Sequence, residues 1–245
     1  MDASVTSAFI GAVAVGGTAL GTVLGGWVQA RGGRAQAQAA QQAAEIAARA
    51  AHQQALYERR WSLLAAFLRA ASECMEAADQ LYTTDSLPEA RRRWHACTLA
   101  HAEAELGAPA ALLGPVDELR AAVGRMYRTA QRSAPASRAL KEVRRRAKQG
   151  EERAVHALGA MEALWEADRS LPLTGRTSAP EYANAEQALN ALPGYDEEHA
   201  ALLMGRTSRQ WQAARADREA RKDDHQQARR ELVTAAREVF GTDRL

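Results

Sequence analysis

The 245 residues carry 32 basic and 30 acidic side chains, and the resulting net charge of +2 lacks the strong basic excess of a dedicated nucleic-acid-binding protein. Helix-forming Ala, Arg, Glu, Gln and Leu dominate the sequence, and we find no run with the alternating pattern of a strand. Two cysteines without a pairing framework argue against a disulfide-stabilised secreted domain and fit a reducing compartment. The composition therefore predicts an all-α protein that does not bind nucleic acid.

The first feature along the chain is an uncharged run of 26 residues from Val5 to Ala30. A helix needs about 20 such residues to cross the bilayer core, so the run predicts a transmembrane helix. The N-terminal flank has no basic residue, whereas Arg31 and Arg34 follow the run, and basic flanks stay on the cytoplasmic side. We therefore expect residues 1–30 to form a single-pass anchor in the cell membrane, with the N-terminus outside and the bulk of the chain in the cytoplasm.

Glycines within this run have a spacing that favours contact between helices. Gly17, Gly21 and Gly25 are four residues apart and share one helix face, where a second backbone can approach closely. We expect the span to lie in membrane lipid and to self-associate through this glycine zipper, giving a homo-oligomer. Two other interpretations stay open: a cleaved signal peptide, although the start is not basic, and a helix buried in a soluble protein.

After the span, the sequence predicts a stalk and then a bundle. Residues 31–56 begin with a predicted hinge at Gly32-Gly33 and continue as an Ala/Gln-rich stalk helix, because Ala favours helix but offers little to bury. Residues 57–245 are expected to form an elongated cytoplasmic helical bundle. A heptad spacing in its first helix predicts a coiled-coil seam, carried by Tyr57, Trp61, Leu64, Leu68 and Met75.

Proline, glycine and capping patterns divide the rest of the chain into further helices. Ser86 and Glu89 predict a capping box at the start of the second cytoplasmic helix. Pro135 predicts a break between the third and fourth helices. The last helix is apolar at both ends, and one interpretation pairs it antiparallel with the first long helix, which places Trp211 beside the seam. The predicted ranges are 88–106, 109–132, 136–168, 181–192 and 196–240, with a loop at 169–180.

Three patterns in the sequence concern possible sites of chemistry. A basic run is a candidate contact for anionic lipid, with a solvated face as the alternative; it comprises Arg144, Arg145, Arg146 and Lys148. Cys97, His101 and Glu105 have metal-ligand spacing, but no second cluster completes four ligands, so we expect no metal. We find no nucleotide-binding, hydrolase or metalloprotease motif, and we expect neither enzymatic activity nor a cofactor.

These patterns favour a membrane-anchored helical scaffold or adaptor that self-associates and recruits an unknown protein partner to the cytoplasmic face of the membrane. One alternative is a membrane-active effector, whose glycine-zipper spans assemble into a pore or lesion. Another is a soluble assembly component that buries residues 5–30 in a partner protein instead of lipid.

Overall fold

A computed structural model describes the backbone of residues 3–169 and 179–241, and the side chains from residue 38 onward within these ranges. All secondary structure in this part of the chain is helical, which confirms the predicted all-α class. The seven helices are α1 (Ala3–Gln80), α2 (Leu87–Gly107), α3 (Ala110–Lys148), α4 (Glu152–Ala167), α5 (Pro180–Asn190), α6 (Glu197–Met204) and α7 (Ser208–Phe240).

Helix α1 is continuous, and the hinge predicted at Gly32-Gly33 is therefore wrong. Each glycine costs about 1 kcal/mol of helix propensity relative to Ala. The helix-forming Ala/Gln segment that follows favours continuation, so two glycines do not end the helix. The chain divides into two compact units, Met1–Glu58 and Arg59–Leu245. In the first unit, every side chain described, from residue 38 to residue 58, is exposed.

The structure does not test the predicted membrane span. Among the residues that the model describes with their side chains, no helix is both long and apolar enough to cross a membrane. The predicted span, residues 5–30, lies outside them, as do its packing positions Gly17, Gly21 and Gly25. The loop predicted at 169–180 also falls largely outside, since residues 170–178 are not described.

The second unit contains two hydrophobic clusters. The first is built by the last part of α1 with α2, the first half of α3 and the end of α7, and its fully buried large side chains include Phe67, Leu119, Met126 and Leu232. The second is built by the end of α3 with α4, α5 and α6, around Met161, Leu189 and Leu203. Because α3 contributes to both clusters, it is the element that joins them.

Helix α3 differs from the sequence prediction, because it passes through Pro135. Around Pro135 the neighbouring Ala134 and Ala136 are buried, and burial offsets the hydrogen bond that a proline removes. The helix ends instead at Lys148, and Gly150 just beyond it has a φ of 81°. Its N–H donates to Ala147 O at 3.0 Å and the next N–H donates to Arg146 O at 3.2 Å, which is a Schellman motif.

Two helix starts also correct the prediction. Ser86 precedes α2, but its side chain makes no capping bond; its Oγ lies 3.0 Å from Thr84 Oγ1, and Glu89 binds arginines instead. The predicted last helix is split in two at Gly205, and α7 begins with a true capping box. There Gln210 N donates to Thr207 Oγ1 at 3.2 Å, and Thr207 N donates to Gln210 Oε1 at 2.8 Å.

Helix α7 runs antiparallel to the last part of α1, as the sequence indicated, but in another register. Trp61 packs edge-on against Phe240, with ring centroids 5.8 Å apart, whereas the far end of α1 meets residues 218–222. Trp211 lies beyond this pairing, in the second cluster, where its ring is 6.4 Å from that of Trp165. The placement of Trp211 beside the seam is therefore wrong.

Candidate functional site

The predicted seam lies partly inside the bundle and partly outside it. Leu64 and Met75 are buried in the first cluster, and Trp61 and Leu68 pack against it while partly exposed. Tyr57 is 47% exposed and precedes the bundle. From residue 61 onward, the apolar side of α1 is thus used within this chain, by the core that α2, α3 and α7 complete.

A polar junction joins α7 to the C-terminal end of α1 and the middle of α3. Asp79 accepts a hydrogen bond from Arg218 Nε at 2.9 Å and forms an ion pair with Lys222 Nζ at 3.1 Å. The Arg218 guanidinium also lies 4.1 Å from the centroid of the Tyr82 ring. Burial alone would raise the pKa of Asp79, but the hydrogen bonds and charges of Arg218 and Lys222 outweigh it and lower the pKa.

Two further hydrogen bonds extend this junction onto α3. Tyr82 Oη lies 2.6 Å from Ser133 Oγ, and both residues are buried. Thr129 Oγ1 donates to an Asp217 carboxylate oxygen at 3.2 Å. Sequence reasoning missed the junction entirely, because charges distributed along α7 acquire partners only when the register with α1 and α3 is known. These contacts can fix the register of α7 against α1 and α3, since each contact pairs one particular side chain with another.

The basic run at the end of α3 is only half available to an anionic surface. Arg145 and Arg146 both bind Glu142, and their hydrogen bonds lower the pKa of its carboxyl to about 2. Arg146 also donates to Pro193 O at 2.9 Å. Arg144 and Lys148 are exposed and have no partner among the described residues. The arginine pair thus supports the α3–α5 region, whereas the lipid contact stays a prediction.

The cysteine and histidine pattern on α2 is engaged in packing. His101 Nε2 is 2.8 Å from an Asp117 carboxylate oxygen, and its ring packs edge-on against Phe67. Cys97 is fully buried, and burial raises the pKa of its thiol to about 11. Within the residues searched, which exclude the undescribed stretches, no three His, Cys, Asp or Glu side chains converge as metal ligands.

Two surface cavities occur in the second cluster. One, of about 320 Å³, is lined by Arg138, Glu142, Arg146, Tyr195 and His199 among others. Its charges are already balanced, because Arg138 binds Asp85 at 2.8 Å and Arg146 binds Glu142 at 2.8 Å. The other, of about 630 Å³, is a groove between α4 and α5 with a floor of small side chains. Neither cavity presents a set of groups poised for catalysis.

Exposed apolar side chains are the remaining surface feature. On α2, Leu99 and Leu106 are 68% and 90% exposed, and they are seven residues apart on one helix face. On the stalk, Ile46 is 67% exposed. Comparison of the chain with protein-family models, with curated proteins and with solved structures finds no match.

Proposed function

We propose that this protein is a single-span, membrane-anchored helical scaffold that self-associates and recruits a protein partner to the cytoplasmic face of the membrane. The observation that carries the proposal is the uncharged run of residues 5–30, which stands at the start of one continuous helix. That helix leads through an exposed stalk into the compact unit Arg59–Leu245. Anchor, spacer and folded domain in this order are the parts that a membrane-tethered adaptor needs.

The folded unit supports a binding role rather than a catalytic one. Several of its charged residues form ion pairs with one another, as Asp79 does with Arg218 and Glu142 does with Arg146. Leu99 and Leu106 on α2 are exposed apolar side chains on one helix face, where a protein partner could cover both. Arg144 and Lys148, which have no ion-pair partner in the part of the chain that the structure describes, supply positive charge that an anionic lipid surface would attract.

Alkaline extraction of membranes tests the anchor. Membranes from cells expressing the full chain are washed with sodium carbonate, beside membranes from cells expressing a version that lacks residues 1–30. We expect the full chain to stay in the pellet and the truncated chain to be soluble. Release of the full chain would refute the anchor and favour the alternative in which residues 5–30 are buried in a protein assembly.

Membrane potential distinguishes the scaffold from the pore-forming alternative. We expect expression of the full chain to leave the potential unchanged, and Gly21→Leu to alter only the oligomeric state. A collapse of the potential that Gly21→Leu abolishes would instead identify a membrane-active effector.

A further inference from the structure

The continuity of α1 relates the predicted span to the exposed stalk. The helix runs from Ala3 to Gln80 without a break, so each residue advances the helix by about 100° and the angular position of any residue can be followed along it. At about 100° per residue, one set of positions from the span and the stalk falls within an arc of about 80° around the axis of α1. The set, named here the α1 stripe, is Gly17, Gly21, Gly25, Ala39, Ala43, Ile46, Ala50 and Tyr57.

The stalk part of the stripe is exposed, and it is apolar except at Gln53, which falls at the edge of the same arc. Ile46 is 67% exposed and Tyr57 is 47% exposed, and they lie three helical turns apart on the same face. Ala39, Ala43 and Ala50 fill the positions around them and are exposed as well. Small side chains at such positions allow two helices to approach closely, while the larger residues supply apolar area to bury.

The charged residues of the stalk lie off the stripe. Glu45, Arg49 and Glu58 are the acidic and basic residues between residues 38 and 58, and none of them falls within the arc. Two are held by glutamines of the same helix: Gln41 donates to Glu45 at 3.4 Å, and Gln54 donates to Glu58 at 2.9 Å. The stripe therefore offers a face that a partner helix can cover without burying a charge.

We propose that the α1 stripe is the surface through which two copies of this chain pair side by side, in parallel and in register. This inference rests on the proposed membrane anchor, because copies inserted with one orientation have parallel stalks at high local concentration. Contact between the spans along Gly17, Gly21 and Gly25 would direct the same side of each stalk toward the other, since α1 is unbroken between them.

The residues at the flanks of the stripe are compatible with the parallel arrangement. In a parallel pair, a flanking residue meets the position five residues further along the other helix. This brings Arg49 beside Gln54 of the second copy, and Gln42 beside Ala47 of the second copy. Neither contact places like charges together, so the stalk carries no electrostatic barrier to this register.

Cysteine cross-linking in membranes tests the pairing. Ala43→Cys and Ala50→Cys place single thiols on the stripe, and Ala48→Cys is the matched control on the opposite side of the helix. The native Cys74 and Cys97 are buried, and the unsubstituted full chain measures their background. Disulfide formation is induced with a mild oxidant, and covalent dimer is measured by non-reducing electrophoresis.

We expect Ala43→Cys and Ala50→Cys each to give at least about tenfold more dimer than Ala48→Cys, because a disulfide requires Cα atoms within about 7 Å. Both must react, since the two positions are about 10 Å apart along the axis and an antiparallel pair brings only one of them near its twofold axis. Reaction at only one stripe position, or equal reaction at Ala48→Cys, would overturn the proposal.

Carbonate extraction of the same membranes distinguishes a failure of this proposal from a failure of the proposed function. Retention in the pellet without stripe cross-linking refutes the pairing and leaves the anchor intact. Extraction with stripe cross-linking at both positions refutes the anchor, while the pairing stands as an interface in solution.

Discussion

The junction at Asp79 makes a quantitative prediction about how α7 is held. Asp79 contacts two cations, Arg218 and Lys222, and its side chain is 38% exposed, so solvent partly screens both interactions. Hydrogen bonds to charged groups contribute about 1.5–3 kcal/mol when well buried, and exposed ion pairs contribute about 0.2–1 kcal/mol. Between these limits, we expect Asp79→Ala to lower the free energy of unfolding by about 1–2 kcal/mol.

A double-mutant cycle isolates the pairing from other effects of the substitution. Asp79→Ala, Arg218→Ala and the double variant are compared by urea denaturation of the full chain in mild detergent, with Asp223→Ala as the control. Asp223 is an exposed carboxylate on α7 without a partner among the described residues, so its removal should cost less than about 0.5 kcal/mol. We expect a coupling energy of about 1 kcal/mol between Asp79 and Arg218. A coupling indistinguishable from zero would show that α7 is not held at this point.

The pH dependence of the same difference provides a second check. Because the pKa of Asp79 is lowered in the folded state, its contribution is fully present above the ordinary value of 3.8 and is lost as the pH falls through the folded pKa. The wild-type chain and Asp79→Ala should therefore converge in stability under acid conditions. A difference that stays constant down to the lowest accessible pH would contradict an electrostatic origin.

Three further predictions concern single residues of the folded unit. Gly150→Ala should lower the free energy of unfolding by about 1 kcal/mol, because φ at this position is 81°. Gly159→Ala, in open space within α4, should raise it by about 0.5–1 kcal/mol. Equal effects of the two substitutions in chemical denaturation would refute the chain turn at Gly150. Burial and, secondarily, Arg229 lower the pKa of His225 below 6.5. The unfolded state therefore takes up a proton first, and stability should fall as the pH drops below 6.5. In a series of melting temperatures measured at different pH values, His225→Gln should remove this dependence. Burial raises the pKa values of the Cys74 and Cys97 thiols to about 12 and about 11. Both thiols should therefore resist a maleimide reagent at neutral pH until the chain is unfolded. Rapid labelling of the folded chain would place them outside the core.

Local sequence patterns predicted the helical class because the chain is rich in helix formers throughout. They misplaced two helix ends for an identifiable physical reason. Pro135 carries a strong local tendency to break a helix, but burial of its neighbours outweighs it. Gly150 is a common helix-ending residue, but it is a weaker signal than proline because glycine is also tolerated inside helices. The capping box formed by Thr207 and Gln210 was visible in the sequence and could have divided the last helix correctly.

The candidate sites were harder to predict, because their partners are distant in sequence. Heptad spacing identified a side of α1 that does enter the core at Leu64 and Met75. The same spacing cannot say that α7 joins this core through Asp79, since that contact joins residues 139 positions apart. The composition of residues 144–148 also overstated the positive charge that this run offers to an anionic surface, because Glu142, one turn away, forms ion pairs with Arg145 and Arg146.

The most direct test of the account is whether the two ends of the predicted span lie on opposite sides of the membrane. Ser4→Cys and Ala39→Cys place single thiols on either side of residues 5–30, and the buried native cysteines contribute little background. Intact cells are treated with a membrane-impermeant maleimide before and after the membrane is opened. We expect Ser4→Cys to react in intact cells and Ala39→Cys to react only after the membrane is opened. Identical behaviour of the two positions would contradict the anchor.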